Sequence, residues 1–255
     1  MTALLTSCLA FDTATEHLSI ALQVHGRVWS HEGPGGALAS TTLIPAIFDL
    51  LAQAGIGLRD LDAIAFGRGP GAFTGLRTAC SVAQGLAFGA DLPVLPIDTL
   101  LAVAEDARQS RGAPAHDDVW VAMDARMGEV YAAHAVFGAD GWQLPTPPLL
   151  CTPQALQERW AAQPPAVVAG TALAAFGEAL DCGAAQCWPA ALPRARAMLP
   201  LAAALWARGG AVDAALALPL YLRDKVAQTM AERAALKAHA AAASSAAPAA
   251  LGVAP

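Results

Sequence analysis

An apolar run closed by an aspartate occurs twice in this chain, and each copy opens the same series of elements. Segment 4–12 (LLTSCLAFD) ends in Asp12, and segment 119–124 (VWVAMD) ends in Asp124. After the first, 18–24 (LSIALQV) alternates, His25-Gly26 supplies a turn, and 27–31 continues as a third strand, the pattern of hairpins. A GPGG loop leads to a helix over about 42–54. Ser40, Thr41 and Thr42 are its candidate N-caps and Gly55 its C-cap, and Pro45 fits only within the first turn. A strand at 62–67, a glycine-rich loop, a helix at about 74–88, a strand at 94–97 and a helix from Thr99 follow. After the second run come strands at 130–137 and near 142–144, a helix at 153–162, a strand at 166–170 and a helix at 171–180. The repeated βββαβα order predicts an α/β protein of two similar lobes. They span 1–104 and 105–229, with the natural linker at 104–118 and a last helix free to pack back on the first lobe. Residues 230–255 form an Ala-rich tail, of Ala/Ser/Pro low complexity from 234 on, in which disorder is expected.

Composition narrows the function classes. The net charge is −6, and Lys225 and Lys237 are the only lysines, so the chain has little with which to neutralise the phosphates of a nucleic acid by itself. Hydrophobic residues reach 56%, but much of this is alanine. No run has the large uncharged side chains of a transmembrane helix, and the N-terminus has no basic region before its apolar stretch. The expectation is a soluble, cytoplasmic protein with no membrane association. Five cysteines, odd in number and widely spaced, read as small buried hydrophobes in a reducing compartment, and Cys182 and Cys187 have no second pair or histidine beside them with which to build a zinc site.

The most informative motif is Gly67-Arg68-Gly69-Pro70-Gly71-Ala72-Phe73-Thr74-Gly75-Leu76-Arg77, between a strand and a helix. Glycines there allow close backbone approach, and a helix N-terminus offers free N–H groups. One reading is a vestigial phosphate loop built from Asp12, Thr13, Gly69, Gly71, Thr74 and Gly75. The other is a tight connection packed against another part of the protein. It is not a Walker loop, because no lysine follows the last glycine. The two helices nearest this motif carry apolar arcs wider than one core face requires, and Ala79, Ala83 and Ala87 recur every four residues. Either both are sandwiched inside the chain or they share a helix–helix interface. Catalytic constellations are sparse: none of the six histidines has the i, i+4 spacing of a helical metal site.

FDTATEHLSIAL, LDAIAFGRGPGAFTGLRTACSVAQGLAFG, VAMDARMGEVYAA and PLYLRDKVAQT, in that order and spacing, resemble the TsaB (YeaZ) family over residues 4–229. The resemblance implies two actin/Hsp70/sugar-kinase-like (ribonuclease H-like) lobes. It implies a role in making the threonylcarbamoyl modification of the adenosine beside the tRNA anticodon, as the non-catalytic partner of TsaD, with TsaE an associated ATPase. It places the partner contact on the helices at 42–54 and 74–88. The interface candidates are therefore Leu43, Ile47, Leu50, Leu51, Ala54, Leu76, Ala79, Ala83, Leu86 and Ala87, which would also serve a homodimer. Transfer RNA would be met only through the complex. No cofactor would be held tightly, and ATP or ADP would sit only at a shared interface. TsaD-like proteins carry an HxxxH metal pair on the first helix, and many relatives keep one of its histidines. The matching stretch here begins at Ala39, so no metal is expected. The rival reading is an enzyme: a nucleotide-dependent transferase of the actin-like ATPase superfamily that acts alone through Asp12 and the glycine-rich loop.

Overall fold

The computed structural model describes residues 4–223. The tail read from composition and the segment 224–229 lie outside the described residues. Strands β1 (Ser7–Asp12), β2 (His17–Val24) and β3 (Arg27–Pro34) form an antiparallel meander. Helix α1 (Ala39–Ala54), β4 (Ala63–Gly69), α2 (Phe73–Ala90), β5 (Val94–Asp98) and α3 (Thr99–Ser110) complete a sheet ordered β3-β2-β1-β4-β5. Then come β6 (Asp117–Asp124), β7 (Val130–Gly138), β8 (Gly141–Gln143), β9 (Leu149–Cys151), α4 (Pro153–Ala162), β10 (Val167–Ala169), α5 (Ala172–Phe176), β11 (Gln186–Trp188) and α6 (Ala195–Ala207). The second sheet runs β11-β10-β6-β7-β8, with β9 added on β7. Read from its other edge, this is the strand order of the first sheet, so the repeat in the sequence is a repeat of topology.

Period-2 alternation decides which helix covers which face. On β1, Leu9 and Phe11 enter a core with Leu18, Ile20, Ile64 and Phe66, beneath α1 and α2. Cys8 and Ala10 point the other way, with Ala21, Ala63 and Ala65, and this face of small side chains admits α6 through Ala195, Met198, Leu199 and Ala202. On β6, Val119, Val121 and Met123 join Leu100, Val103, Ala104 and Ala107 of α3. Trp120 and Ala122 meet α4 at Leu156 and Trp160.

The structure corrects several expectations. The predicted linker begins inside α3, which continues to Ser110 and buries Ala104 and Ala107 against the second sheet. Glu105 on that helix is buried, but its carboxylate is satisfied by Arg108, Gln109 and the indole N–H of Trp142 at 2.8–3.0 Å. Helix α1 starts at Ala39, earlier than expected. Ser40, Thr41 and Thr42 do not cap it: their hydroxyls donate back to the carbonyls of Ala37 and Leu38. Pro45 therefore lies beyond the first turn, on the exposed side, where water can satisfy the carbonyl its missing N–H leaves unbonded. Gly55 does end the helix, in the left-handed conformation. The helix expected over 171–180 breaks at Gly177 into a 3₁₀ turn. By length and composition Gly36–Ala54 could cross a membrane, with a mean hydropathy of 1.4, yet its Leu43, Ile47, Leu50 and Leu51 are core residues of the first sheet.

Candidate functional site

The turn after β1 and the glycine-rich loop after β4 are held against each other. Asp12 is buried, and its Oδ1 accepts the Ala14 N–H at 2.7 Å. Its Oδ2 accepts the Thr99 hydroxyl at 2.9 Å, and that hydroxyl oxygen accepts the Gly69 N–H at 3.1 Å. Burial is the main cause that pushes the Asp12 carboxyl up to about 6 from its ordinary 3.8, against the two hydrogen bonds that favour the charged form. Thr13, fully buried, donates its hydroxyl to the Gly75 carbonyl at 2.7 Å, and the Ala72 N–H donates to the Ala14 carbonyl at 2.8 Å.

The glycines of the motif are needed because the chain's own backbone fills the space beside them. A Cβ on Gly75 would overlap the Thr13 carbonyl, and one on Gly71 would stand 2.6 Å from the Cβ of Ala14. Gly69, with φ of 115°, faces the Leu220 carbonyl. Of the six residues proposed as a phosphate loop, Asp12, Thr13, Gly69, Gly71 and Gly75 are thus engaged with one another or with neighbouring backbone. Thr74 is exposed and faces away, lining a shallow surface depression with Ser40, Phe73 and Arg77. The motif thus packs backbone closely on backbone, the start of α2 against the turn after β1.

In front of this clasp lies a cleft of about 220 Å³ bordered by Ala14, Glu16, His17, Gly71, Asp124, Arg126 and Thr171. Arg126 spans it, paired with Glu16 at 3.0 Å and with Asp124 at 3.1 Å. Asp124 repeats the turn of Asp12: its Oδ1 accepts the N–H two residues on, from Arg126, at 2.8 Å. Asp12 does not line the cleft. Among the described residues no group of three or more His, Cys, Asp or Glu could hold a metal ion, and Ala39 is fully buried in the first core.

The interface candidates are also redistributed. Leu43, Ile47, Leu50 and Leu51 of α1 and Leu76, Ala79, Ala83 and Ala87 of α2 are buried against the sheet, with Ala54 and Leu86 at its margin. The small residues spaced by four let α2 approach β4, not a partner. The other face of the same helices is open. Ile44 and Phe48 on α1 are 42% and 49% exposed, and Phe88 near the end of α2 is 84% exposed. Ser81, Gly85 and Gly89 share that open face of α2, and a Cβ on either glycine would meet nothing within 4 Å. The signal in the sequence was the extra pair Ile44 and Phe48, four apart and offset from the dense leucine stripe. The segment 217–221 straps the flank of α2: the Ala217 carbonyl accepts from Cys80 and from Gln84 (2.9 Å), and the Tyr221 ring packs against Phe73, tilted by 37° with centroids 5.3 Å apart.

Two sheets of matching strand order, a helix shared between them and a cleft at the ends of β1 and β6 define a two-lobe protein of the actin/Hsp70/sugar-kinase type. Residues 37–144 match the family model described as TsaD: tRNA N6-adenosine threonylcarbamoyltransferase. The chain is 36% identical to the tRNA threonylcarbamoyladenosine biosynthesis protein TsaB of Escherichia coli, over 86% of this chain and 95% of that protein. The protein of the same name from Haemophilus influenzae is 37% identical over 86% and 94%. The solved structure of YeaZ from Pseudomonas aeruginosa superposes with a TM-score of 0.77 at 39% identity, over 85% of this chain and all of that one. The chain belongs to the TsaB (YeaZ) family.

Proposed function

We propose that this chain is a non-catalytic subunit of the tRNA threonylcarbamoyladenosine synthesis machinery, which binds a TsaD-like catalytic subunit and holds it in a competent state. The observation that carries the reading is the open face of α1 and α2, where Ile44, Phe48 and Phe88 stand exposed beside small residues. Large apolar side chains grouped on one surface mark a contact site, and Ser81, Gly85 and Gly89 would let a partner helix approach closely. The clasped Asp12 supports the non-catalytic part, because both carboxylate oxygens are engaged away from the cleft. In this reading a TsaE-like ATPase joins the assembly, tRNA is met through the catalytic subunit, any nucleotide lies at a shared interface, and the work is cytoplasmic. In the absence of the partner the same face would pair two copies of the chain.

The test is titration of the purified chain with the TsaD-like subunit of its own organism, followed by calorimetry and size-exclusion chromatography. Phe48→Asp should weaken binding about a hundredfold while its circular dichroism and melting stay those of wild type. A folded Phe48→Asp variant that binds as wild type does would overturn the assignment of this face.

A further inference from the structure

A second cavity, of about 280 Å³, shares no lining residue with the cleft. It lies where the end of β5 meets α3, α6 and β8. Ile97, Leu101, Trp142, Leu201 and Leu205 give it an apolar wall, and Arg68, Asp98 and Arg208 are its charged groups. The wall is fixed in advance. Trp142 is buried, and its indole N–H is held by Glu105 at 2.8 Å. Leu205 is backed by Gly210, where it leaves no room for a Cβ. The turn that ends α6 closes with the Arg208 and Gly210 N–H groups on the Leu205 carbonyl at 3.2 and 2.9 Å, and Val212 then pairs with Val94 of β5. The charged groups are less fully engaged. The Arg68 Nε donates to Asp98 Oδ1 at 2.7 Å, and the two terminal nitrogens of Arg68 have no acceptor among the described residues. The Arg208 guanidinium has no hydrogen bond or ion pair among the described residues. Two guanidiniums against one carboxylate leave the cavity with an excess of positive charge.

We propose that this cavity binds a small organic monoanion, a carboxylate carried on an apolar body the size of one ring. A preformed apolar hollow with a few polar groups at one side is the usual form of a small-molecule site. The room is sufficient, since an engineered apolar cavity of about 150 Å³ already takes benzene. Arg208 takes the carboxylate, because its planar fork of N–H donors matches two carboxylate oxygens, and the spare nitrogens of Arg68 add positive charge. The body lies on the Trp142 ring and the leucines. Asp98 sets the limit on charge: its pairing with Arg68 leaves one guanidinium in excess, so a monoanion balances the set and a dianion overshoots it. Inorganic phosphate brings no apolar body to the wall. An apolar amine brings the wrong sign to Arg208, and Asp98 is already paired.

The experiment titrates the full-length chain, labelled with heavy nitrogen, with phenylacetate and follows the indole N–H signals by NMR, that of Trp142 being assigned from Trp142→Phe. Phenylacetate should move the Trp142 signal and saturate at millimolar concentration or below. Phenethylamine and inorganic phosphate at the same concentration should leave that signal in place. Arg208→Gln, at an exposed helix end, should weaken phenylacetate binding at least about tenfold with melting unchanged. Ala204→Trp, which puts a ring into the cavity from an exposed position of α6, should abolish it. A Trp142 signal that ignores phenylacetate, or answers equally to the amine or to phosphate, would overturn the proposal, as would a folded Arg208→Gln variant that binds as wild type does.

Discussion

Replacing Gly75 by alanine adds one methyl group where the Thr13 backbone already lies. The new Cβ would overlap the Thr13 carbonyl oxygen and sit 2.9 Å from the carbonyl carbon, far inside ordinary contact. Neither side can yield as a flexible side chain does, because both are backbone. The start of α2 must move away from the β1 turn, and this breaks the Thr13–Gly75 bond (2.7 Å) and the Ala72–Ala14 bond (2.8 Å). Two hydrogen bonds at about 1 kcal/mol each and an overpacking cost of about 1–3 kcal/mol give a loss of roughly 3–5 kcal/mol. For a chain of this size that lowers Tm by roughly 6–20 °C. Gly85 on the same helix provides the opposite case. Its Cβ would meet nothing within 4 Å, so Gly85→Ala removes only backbone freedom and should raise stability by about 0.5–1 kcal/mol. Thermal melting followed by circular dichroism, with urea titration as a check, measures both. If Gly75→Ala melts within about 1 °C of wild type, the close approach does not exist in solution and the reading of the motif fails with it.

Leu50→Asp and Ala83→Arg each place a charge in the first core, where both residues are almost fully buried, and should abolish a cooperative melt, in contrast to Phe48→Asp. A native melting curve for either would return these residues to the surface. Asp12 makes stability depend on pH. Its folded carboxyl is raised to about 6 above its ordinary 3.8, so its contribution is full below about pH 4 and is lost as pH rises through 6. The difference in unfolding free energy between wild type and Asp12→Asn should thus fall by up to about 3 kcal/mol across that window and be flat above it. A difference that stays constant from pH 4 to 7 would show that Asp12 is not buried in this way.

Much of the fold was readable because its signals are local and doubled. The alternation of Leu9 and Phe11 against Cys8 and Ala10 marks a strand covered on both faces, and the aspartate closing each first strand marks the repeat. What could not be read was which of two satisfactory partners takes a given surface. Ala79, Ala83 and Ala87 announce that something approaches α2 closely, and a sheet of the same chain meets that demand as well as a foreign helix would. The wide apolar arc of α1 says that two faces are covered, but only the packing assigns the leucine stripe to the sheet and leaves Ile44 and Phe48 outside. Strands β9 and β11 are three residues each, too short to show alternation, and they form because longer neighbours offer them an edge.

The same ambiguity bears on catalysis. An acid at the end of a first strand suggests chemistry, yet a carboxylate can act in a cleft only if an oxygen faces it. One oxygen of Asp12 is held by the turn that follows β1, and the other by Thr99 at the head of α3. Thr99 in turn holds the Gly69 amide at the end of β4. A single buried carboxyl therefore joins β1, β4 and α3, and that is reason enough for an aspartate at this position without any reaction. The helix it anchors is the one shared by both cores, so loosening the clasp should loosen the relation between the sheets before it changes any surface. The exposed side chains of α1 and α2 have no such internal role. Nothing in the first core depends on Phe48 being large and apolar, whereas a contact with another protein would.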